Sequence, residues 1–288
     1  MDNYQIKSEI ELHTHPYFKA YGLEEIVQVM EKNKINVIAL EYLDGAAFSD
    51  VKTEGDKLSK SNKGYAVDSD SLAVRIEKDK KQFYILKAAE LNTRDKNTGY
   101  GFHIITIGAD TNNIKPYQPI RTMIDSALEQ DALVILDHPL ANKDNFRKKV
   151  SKGVEGEIIK VCKEYNGQIA LEWNGYCISW LRKILFGWDV NEDTIKLSQD
   201  LVYRGYNNPV VTDTDNHARK PGALDAIGTG RIKSYINLTS GRKIIDSLNK
   251  NIFSGRYENT YETVSLPHFV KYFGVPHIFR KFIERPRG

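Results

Sequence analysis

The sequence of 288 residues has two cysteines, nine prolines and no long apolar run. Two cysteines, Cys162 and Cys177, exclude a disulfide scaffold and a four-cysteine zinc module. We expect free thiols in a reducing compartment, with a single disulfide bridge as the alternative. No run approaches the roughly 18 to 20 apolar residues that span a bilayer, and residues 1–10 lack a charged-then-apolar signal pattern. We therefore expect a cytoplasmic protein that does not contact a membrane.

Neither sign of charge dominates, because 41 Lys and Arg residues face 38 Asp and Glu residues, for a net charge of +3. This balance suits an anionic substrate but does not require a nucleic-acid partner. Hydrophobic residues make up 41% of the chain and charged residues 27%. That composition is typical of a globular domain and excludes an intrinsically disordered chain.

Short apolar runs alternate with segments of helical spacing along most of the chain. Leu23, Ile26, Val27 and Met30 fit one helical face, and similar patterns occur at 120–128 and 195–202. Strands that alternate with helices favour a parallel α/β architecture, and their number favours a barrel. The predicted strands are 10–12, 36–40, 83–89, 102–107, 133–136, 169–171 and 209–212.

Three segments depart from this alternation. Residues 44–71 are rich in Ser, Lys, Asp and Gly and predict a long surface excursion, either a lid or a disordered insertion. Residues 72–90 predict a hairpin that turns at 78–81. The tail at 258–288 is basic and aromatic, and could pack on the barrel, cover a neighbour or contact substrate. We predict one barrel domain at 1–257 with this excursion, and a C-terminal appendage at 258–288.

The strongest local signal is the pair His13 and His15. If residues 10–15 form a strand, its period of two places both imidazoles on one face, where they can share a divalent ion. An accidental pair in a surface loop is the alternative.

A second pattern of this kind contains Asp213, Asp215 and His217. Carboxylates with an imidazole suit Zn, Mn or Fe, whereas Ca²⁺ prefers oxygen ligands throughout. A solvated acidic turn is the alternative.

Three single residues, Glu90, His103 and His138, lie at the ends of other predicted strands. A buried carboxylate such as Glu90 needs a cation, a proton or a basic partner. A lone histidine is more often structural, but a barrel gathers strand ends at one mouth, so convergence favours a site.

Taken in order, these motifs resemble the PHP family, the polymerase and histidinol phosphatase domain. Glu11-Leu-His13-Thr-His15 is similar to its opening D-L-H-x-H, and Asp213-Thr-Asp215-Asn-His217 to its G-S-D-x-H. Ala89-Glu90-Leu, His103-Ile-Ile and Asp137-His138-Pro resemble the motifs between them, and Leu171-Glu-Trp-Asn174 resembles more loosely its E-x-x-N. The resemblance covers about residues 8 to 257 and implies a distorted (β/α)7 barrel of the α/β class with a multinuclear metal site.

The resemblance also implies a set of metal ligands. His13, His15, Glu90 and Asp215 would hold one ion. Glu90 would bridge to a second ion, which His103 and His138 also hold. His217 would serve a third ion or bind phosphate. The implied cofactors are two divalent ions, Mn, Zn or Fe, with a third left open.

The sequence departs from the family pattern at its second strand, where T-D-H reads Leu40-Glu41-Tyr42. A further family histidine is absent near Tyr21. Both missing histidines belong to the third ion's ligands. We therefore expect the third site to be weak, rebuilt with Glu41, or absent.

The function that the resemblance implies is hydrolysis of a phosphate ester through a metal-activated water. Arg94, Arg182, Arg219 and Lys220 are candidate phosphate contacts, with Arg219 and Lys220 the preferred pair, although loop cations are usually just solvated. Glu172 and Asn174 are candidates for supporting or substrate contacts at the mouth. The expected partner is a small phosphorylated substrate or nucleotide, and oligomeric state is left open. The alternatives are a nuclease acting on single-stranded nucleic acid and a non-catalytic PHP barrel that serves as a binding module.

Overall fold

The computed structural model describes residues 5–14, 16, 21–41, 47–94, 101–141, 149–215 and 223–274. Eleven strands in these ranges belong to one sheet. They are β1 (Gln5–Thr14), β2 (Val37–Leu40), β3 (Ala66–Ser69), β4 (Ala73–Lys78), β5 (Lys81–Asn92), β6 (His103–Ile107), β7 (Leu133–Asp137), β8 (Ile169–Asn174), β9 (Val210–Asp213), β10 (Gly230–Asn237) and β11 (Tyr257–Tyr261).

Helices of the described ranges cover the outside of this sheet. In α1 (Leu23–Lys32) the residues Leu23, Ile26, Val27 and Met30 are buried, as their spacing predicts. The other helices are α2 (Phe48–Lys60), α3 (Ile120–Leu128), α4 (Lys152–Glu164), α5 (Ser179–Phe186), α6 (Val190–Tyr203), α7 (Gly241–Phe253) and α8 (Leu266–Phe269), which continues into a π-helical turn at Val270–Gly274. None of the helices in the described ranges is long and apolar enough to cross a membrane.

The sheet curls into a nearly closed barrel with the strand order β11-β10-β1-β2-β5-β6-β7-β8-β9. Side chains join its two ends, β9 and β10–β11. The Thr212 hydroxyl donates to the Arg231 carbonyl at 2.6 Å, and the Asn259 amide donates to the Val210 carbonyl at 2.8 Å. The α/β barrel predicted from the sequence is confirmed.

The expectation of a parallel α/β arrangement is wrong at β6, which pairs antiparallel with both β5 and β7. Only residues 93–102 connect β5 to β6, too few for the helical crossover that parallel strands require. Strands β1, β2, β5, β7, β8 and β9 share one direction. Their carboxyl ends form the mouth of the barrel, and β6 begins there.

The excursion at 44–71 contains regular structure from residue 47 onward. Helix α2 buries Val51 and Leu58, and β3 pairs with β4. Strands β4 and β5 form the hairpin that the sequence predicts. The alternative of a disordered insertion is therefore wrong for these residues. The polar composition of this segment reflects helix α2, which buries only one of its faces.

Apolar side chains fill the lower part of the barrel. Residues such as Leu12, Leu86, Ile105, Ile135 and Val211 form one buried cluster inside it. Toward the mouth the interior becomes polar, which is the part of the fold that concerns function.

Candidate metal centre

The mouth of the barrel gathers most of the described site residues that the sequence predicts. His13 comes from β1, Glu90 from β5, and His103 from the first position of β6. His138 directly follows β7, and Asp215 lies just beyond the end of β9. Because β6 runs antiparallel to its neighbours, its first residue, His103, lies at the same end of the barrel as the C-terminal ends of β5 and β7. In the β6–β7 ladder, His103 lies opposite Asp137.

His103, Asp137 and His138 form a compact group. Nε2 of His138 lies 3.0 Å from Oδ2 of Asp137, and Nδ1 of His103 lies 3.4 Å from the same oxygen. Nδ1 of His103 also contacts the Glu90 carboxylate. The two imidazole rings are 5.2 Å apart. This places two imidazoles and two carboxylates around one point.

Ionisation in this group follows from its charges. Burial alone would lower the pKa of His103, but hydrogen bonds with Asp137 and Glu90 outweigh it and raise the pKa to about 10. Burial opposes ionisation of Asp137, yet His138 and His103 hold its pKa well below the usual range. The two carboxylates thus favour positive charge at this point, and a divalent ion that bound here would take the place of the imidazole proton.

Two residues of the mouth have left-handed backbone conformations, with φ of 28° at His138 and 47° at Asp215. Non-glycine residues rarely adopt such values, and strained positions of this kind concentrate at functional sites. The backbone N–H of His138 donates to the Glu172 carboxylate at 2.5 Å. That bond fixes the turn that directs the His138 ring.

Asp215 is held from the side of β8. The Asn174 amide donates to Oδ2 of Asp215 at 2.6 Å, and the Asn174 oxygen accepts from the Tyr176 backbone at 2.9 Å. Oδ1 of Asp215 lies 3.9 Å from Nδ1 of His13. Asn174 therefore supports a predicted metal ligand.

Glu41 connects three strands at the mouth. Its carboxylate accepts a hydrogen bond from the Glu90 backbone, and its own N–H donates to the Thr14 carbonyl at 3.2 Å. These contacts give Glu41 a structural role next to Glu90. The third-ion role expected for it stays a prediction.

Below the mouth lies a layer of carboxylates that the sequence indicated only in part. Its members are at most 2% exposed, and we call Glu11, Asp137, Glu172 and Asp213 the inner acid layer. Glu11 accepts hydrogen bonds from Thr214 N, Thr214 Oγ1 and Gly228 N at 2.8, 2.7 and 2.6 Å. Burial raises the pKa of Glu11 to about 7 despite these bonds.

The other acids of the layer repel one another. Burial and the charges of Asp137 and Asp213 raise the pKa of Glu172 well above its usual range. Burial and the Glu11 charge do the same for Asp213. The sequence analysis left Asp137 out of the site and named Asp213 only as part of the pattern with Asp215 and His217. The available signal was their spacing: Asp213 shares the strand face of Asp215, and Asp137 precedes His138.

These donors fit divalent metal ions. Three groups have one ligand atom per residue within 4.8 Å of the others: His103–Asp137–His138, His13–Glu172–Asp213 and Asp137–Glu172–Asp215. Imidazole mixed with carboxylate is the donor set of Zn, Mn and Fe sites. Within the described residues, neither oxygen of the buried Asp213 receives a hydrogen bond. An uncompensated buried carboxylate is unfavourable, so Asp213 needs a proton or a cation beside it.

The sequence predicts six further residues for this site. His15, His217, Arg219 and Lys220 lie outside the described residues. Arg94 is exposed after β5, where its backbone N–H donates to the Gln118 carbonyl at 2.9 Å. Arg182 is buried in α5, with its guanidinium 4.7 Å from the Trp188 ring centre.

The fold of the chain is similar to that of solved structures. The chain superposes on a lesion-specific endonuclease from Pyrococcus furiosus with a TM-score of 0.52 and 13% identity, over 88% of this chain and 58% of that one. It superposes on a two-domain protein from Bacteroides vulgatus, which contains a predicted PHP-like metal-dependent phosphoesterase, with a TM-score of 0.51 and 14% identity, over 90% of this chain and 66% of that one.

The chain has the PHP fold. This bears out the resemblance read from the sequence motifs at the level of fold. No family model matches the chain, and no curated protein matches it. The chain spans less than two thirds of the length of each of these two structures. These similarities therefore establish the fold alone, and any inference about chemistry depends on the residues at the mouth.

Proposed function

We propose that the protein is a metal-dependent phosphoesterase whose site is the mouth of the PHP barrel. The observation that supports this most is the group of His103, His138, Asp137 and Glu90 around one point. A barrel kept only for binding has no need of two imidazoles and two carboxylates in contact. The general role of a metal-dependent hydrolase agrees with the PHP-like neighbours.

Glu90, His103 and His138 would hold one ion, and Asp215 would reach it or a neighbouring ion. Divalent ions, when bound, make water more acidic and neutralise charge on a phosphoryl group. The chain's own residues set the geometry. Asp137 orients both imidazoles, and Glu172 fixes the His138 backbone. Asn174 directs the Asp215 carboxylate toward the mouth. Such supporting contacts keep ligand atoms in place and keep imidazoles in the required tautomer.

The substrate we propose is a small phosphate monoester or a nucleotide, with Arg219 and Lys220 as sequence-based candidates for phosphate contacts. A nuclease is the second candidate, because one structure with this fold is a lesion-specific endonuclease. Both cysteines, Cys162 and Cys177, are free and buried, which supports the reducing, cytoplasmic location that we propose.

The experiment compares hydrolysis of a chromogenic phosphate monoester, the corresponding bis-ester and single-stranded DNA, each with added Mn²⁺ or Zn²⁺. We expect hydrolysis of the monoester, and its loss in Glu90→Gln and His103→Ala. Glu129→Gln, at an exposed residue directly after α3, is the matched control and keeps wild-type activity. Cleavage of the bis-ester and DNA alone would favour the nuclease. Wild-type protein inactive on all three with either metal would reject both.

A further inference from the structure

A cleft of about 580 Å³ opens at the end of the barrel opposite the mouth. It lies where β1, β2 and β5 begin and β10 ends, between the C-terminus of α1 and the turn of the β4–β5 hairpin. The buried Ile35 and Phe83 line it together with the more exposed Ile6 and Leu238. A cavity of this volume, with apolar walls and a few polar groups, is typical of a small-molecule site.

Lysine residues supply the charge of this cleft. Lys34, Lys80 and Lys81 line it, and the acid among its described lining residues is Glu31. Lys81 and Glu31 pair with each other, with Nζ 2.6 Å from Oε1. Within the described residues, no hydrogen bond or ion pair engages the ammonium groups of Lys34 and Lys80. The cleft therefore keeps two uncompensated positive charges beside an apolar wall.

Lys34 occupies a backbone position that favours glycine, with φ of 59°. It follows the C-cap of α1, and its N–H donates to the Glu31 carbonyl at 3.2 Å. The next N–H, of Ile35, donates to the Met30 carbonyl at 2.8 Å, which completes a Schellman motif. The left-handed residue of that motif is usually glycine, so Lys34 brings a charged side chain to a place where the fold needs none.

Lys80 occupies a second position of this kind. It is the second residue of the two-residue turn between β4 and β5, since Lys78 pairs with Lys81 in the ladder. Asp79 and Lys80 have φ of 50° and 64°, as a type I′ turn requires, and Asp-Gly is a preferred sequence for that turn. A lysine in the left-handed region disfavours folding, and backbone strain of this kind concentrates at functional sites. Two such lysines on one cleft indicate a place for an anion.

We propose that this cleft binds a small organic anion, whose apolar part packs against Ile6 and Leu238 and whose carboxylate or phosphate contacts Lys34 and Lys80. The lysine ammonium group is a compact charge with three donors on a flexible stem, so it suits either anionic group. Of the described residues that line the cleft, none belongs to the metal centre. The site is therefore independent of the hydrolysis proposed for the mouth.

The test is a fluorescence titration of the full chain with anilinonaphthalene sulfonate, an aromatic anion whose emission rises in an apolar site. We expect one saturable site in wild type. The double variant Lys34→Gly with Lys80→Gly should bind the probe more weakly by about tenfold or more. It should melt at the wild-type temperature or a few degrees above it, because both positions favour glycine. Lys34→Gln with Lys80→Gln, which removes the charges but keeps long side chains, should weaken binding to the same extent.

Two control variants lie outside the cleft. Asp131→Gly places glycine at an exposed residue with φ of 54°, and Lys115→Gln removes the charge of an exposed lysine. Both should bind the probe as wild type does. Both double variants should keep the wild-type rate of monoester hydrolysis, because the lysines lie at the opposite end of the barrel from the mouth.

Octanoate and phenylphosphonate, added as competitors, distinguish a carboxylate from a phosphate as the preferred group. Displacement of the probe by either supports the site, and displacement by neither would overturn the proposed ligand class. Wild type without saturable probe binding, or double variants that bind as tightly as wild type, would overturn the site itself. A glycine variant that melts several degrees below wild type would give the two lysines a structural role instead.

Discussion

The side-chain amide of Asn174 donates a hydrogen bond of 2.6 Å to Oδ2 of Asp215. Asn174 is itself fixed by the neighbouring helix, since its N–H donates to the Asn191 side chain at 3.0 Å and its carbonyl accepts from the same side chain at 2.9 Å. A carboxylate at the mouth is thus oriented by a buried amide network that begins in α6. Networks of this kind determine how precisely ligand atoms are positioned.

Asn174→Ala should weaken metal binding at Asp215. Supporting contacts to metal ligands typically contribute about 10- to 100-fold in affinity, and we expect a loss of that size. Titration with Mn²⁺ followed by calorimetry measures it. Asn113→Ala, an exposed residue of a short helical turn, is the control. An affinity equal to wild type in Asn174→Ala would show that Asp215 needs no support from β8.

Asp70 should give a pH-dependent contribution to stability. Its carboxylate accepts from the backbones of Leu72, Ala73 and Gly241 at 2.7, 2.8 and 2.8 Å, and so attaches α7 to the hairpin. Burial acts against it, but these three bonds lower the pKa of Asp70 below the ordinary 3.8. The stabilisation is therefore fully present above pH 3.8, the ordinary pKa of the unfolded chain. It is lost as the pH falls through the lower pKa that Asp70 has in the folded state.

Urea unfolding of wild type and Asp70→Ala as a function of pH measures this effect. The variant should lose about 2 kcal/mol at neutral pH, and the difference should shrink on acidification. Asp68→Ala, whose only described side-chain bond is to the adjacent Ser69 N–H, is the control. A difference that stays constant down to acid pH would contradict the role of the ionised carboxylate.

Gly230 should tolerate no side chain, because β10 crosses β9 there. An added Cβ would lie 2.0 Å from the Asp213 carbonyl oxygen. We expect Gly230→Ala to destabilise the fold by at least about 1–3 kcal/mol, the usual effect of overpacking. Gly156→Ala in α4, where a Cβ meets nothing within 4 Å, should stabilise it by up to about 1 kcal/mol. Urea unfolding of both variants tests the pair, and equal stabilities would contradict the close approach at the barrel's seam.

The sequence predicted most of the strands because their apolar runs are short, strongly hydrophobic and bounded by polar residues. It did not predict the direction of β6, because hydrophobicity carries no information on direction and residues 93–102 look like any loop. The regular structure of 47–69 was also missed, since α2 buries few residues such as Val51 and Leu58 on one face. Tertiary packing, rather than local pattern, determines both features.

The candidate site could be predicted as far as single residues carry recognisable motifs. Five residues that carry such motifs converge at the mouth: His13, Glu90, His103, His138 and Asp215. The inner acid layer could be predicted only in part, because the sequence pattern joins Asp213 to Asp215 but Asp137 looks like an ordinary strand-end acid. Only the barrel brings them together with Glu172, at a depth that the sequence does not reveal.

The central claim is that the mouth residues bind metal and use it for hydrolysis. The most direct measurement is elemental analysis of wild type and His103→Ala, purified without chelator or affinity-metal columns, with monoester hydrolysis measured on the same samples. We expect about two equivalents of Mn, Fe or Zn in wild type, with loss of the mouth ion and of hydrolysis together in the variant. Wild-type protein that contains no metal, and takes up none from added Mn²⁺ or Zn²⁺, would contradict it.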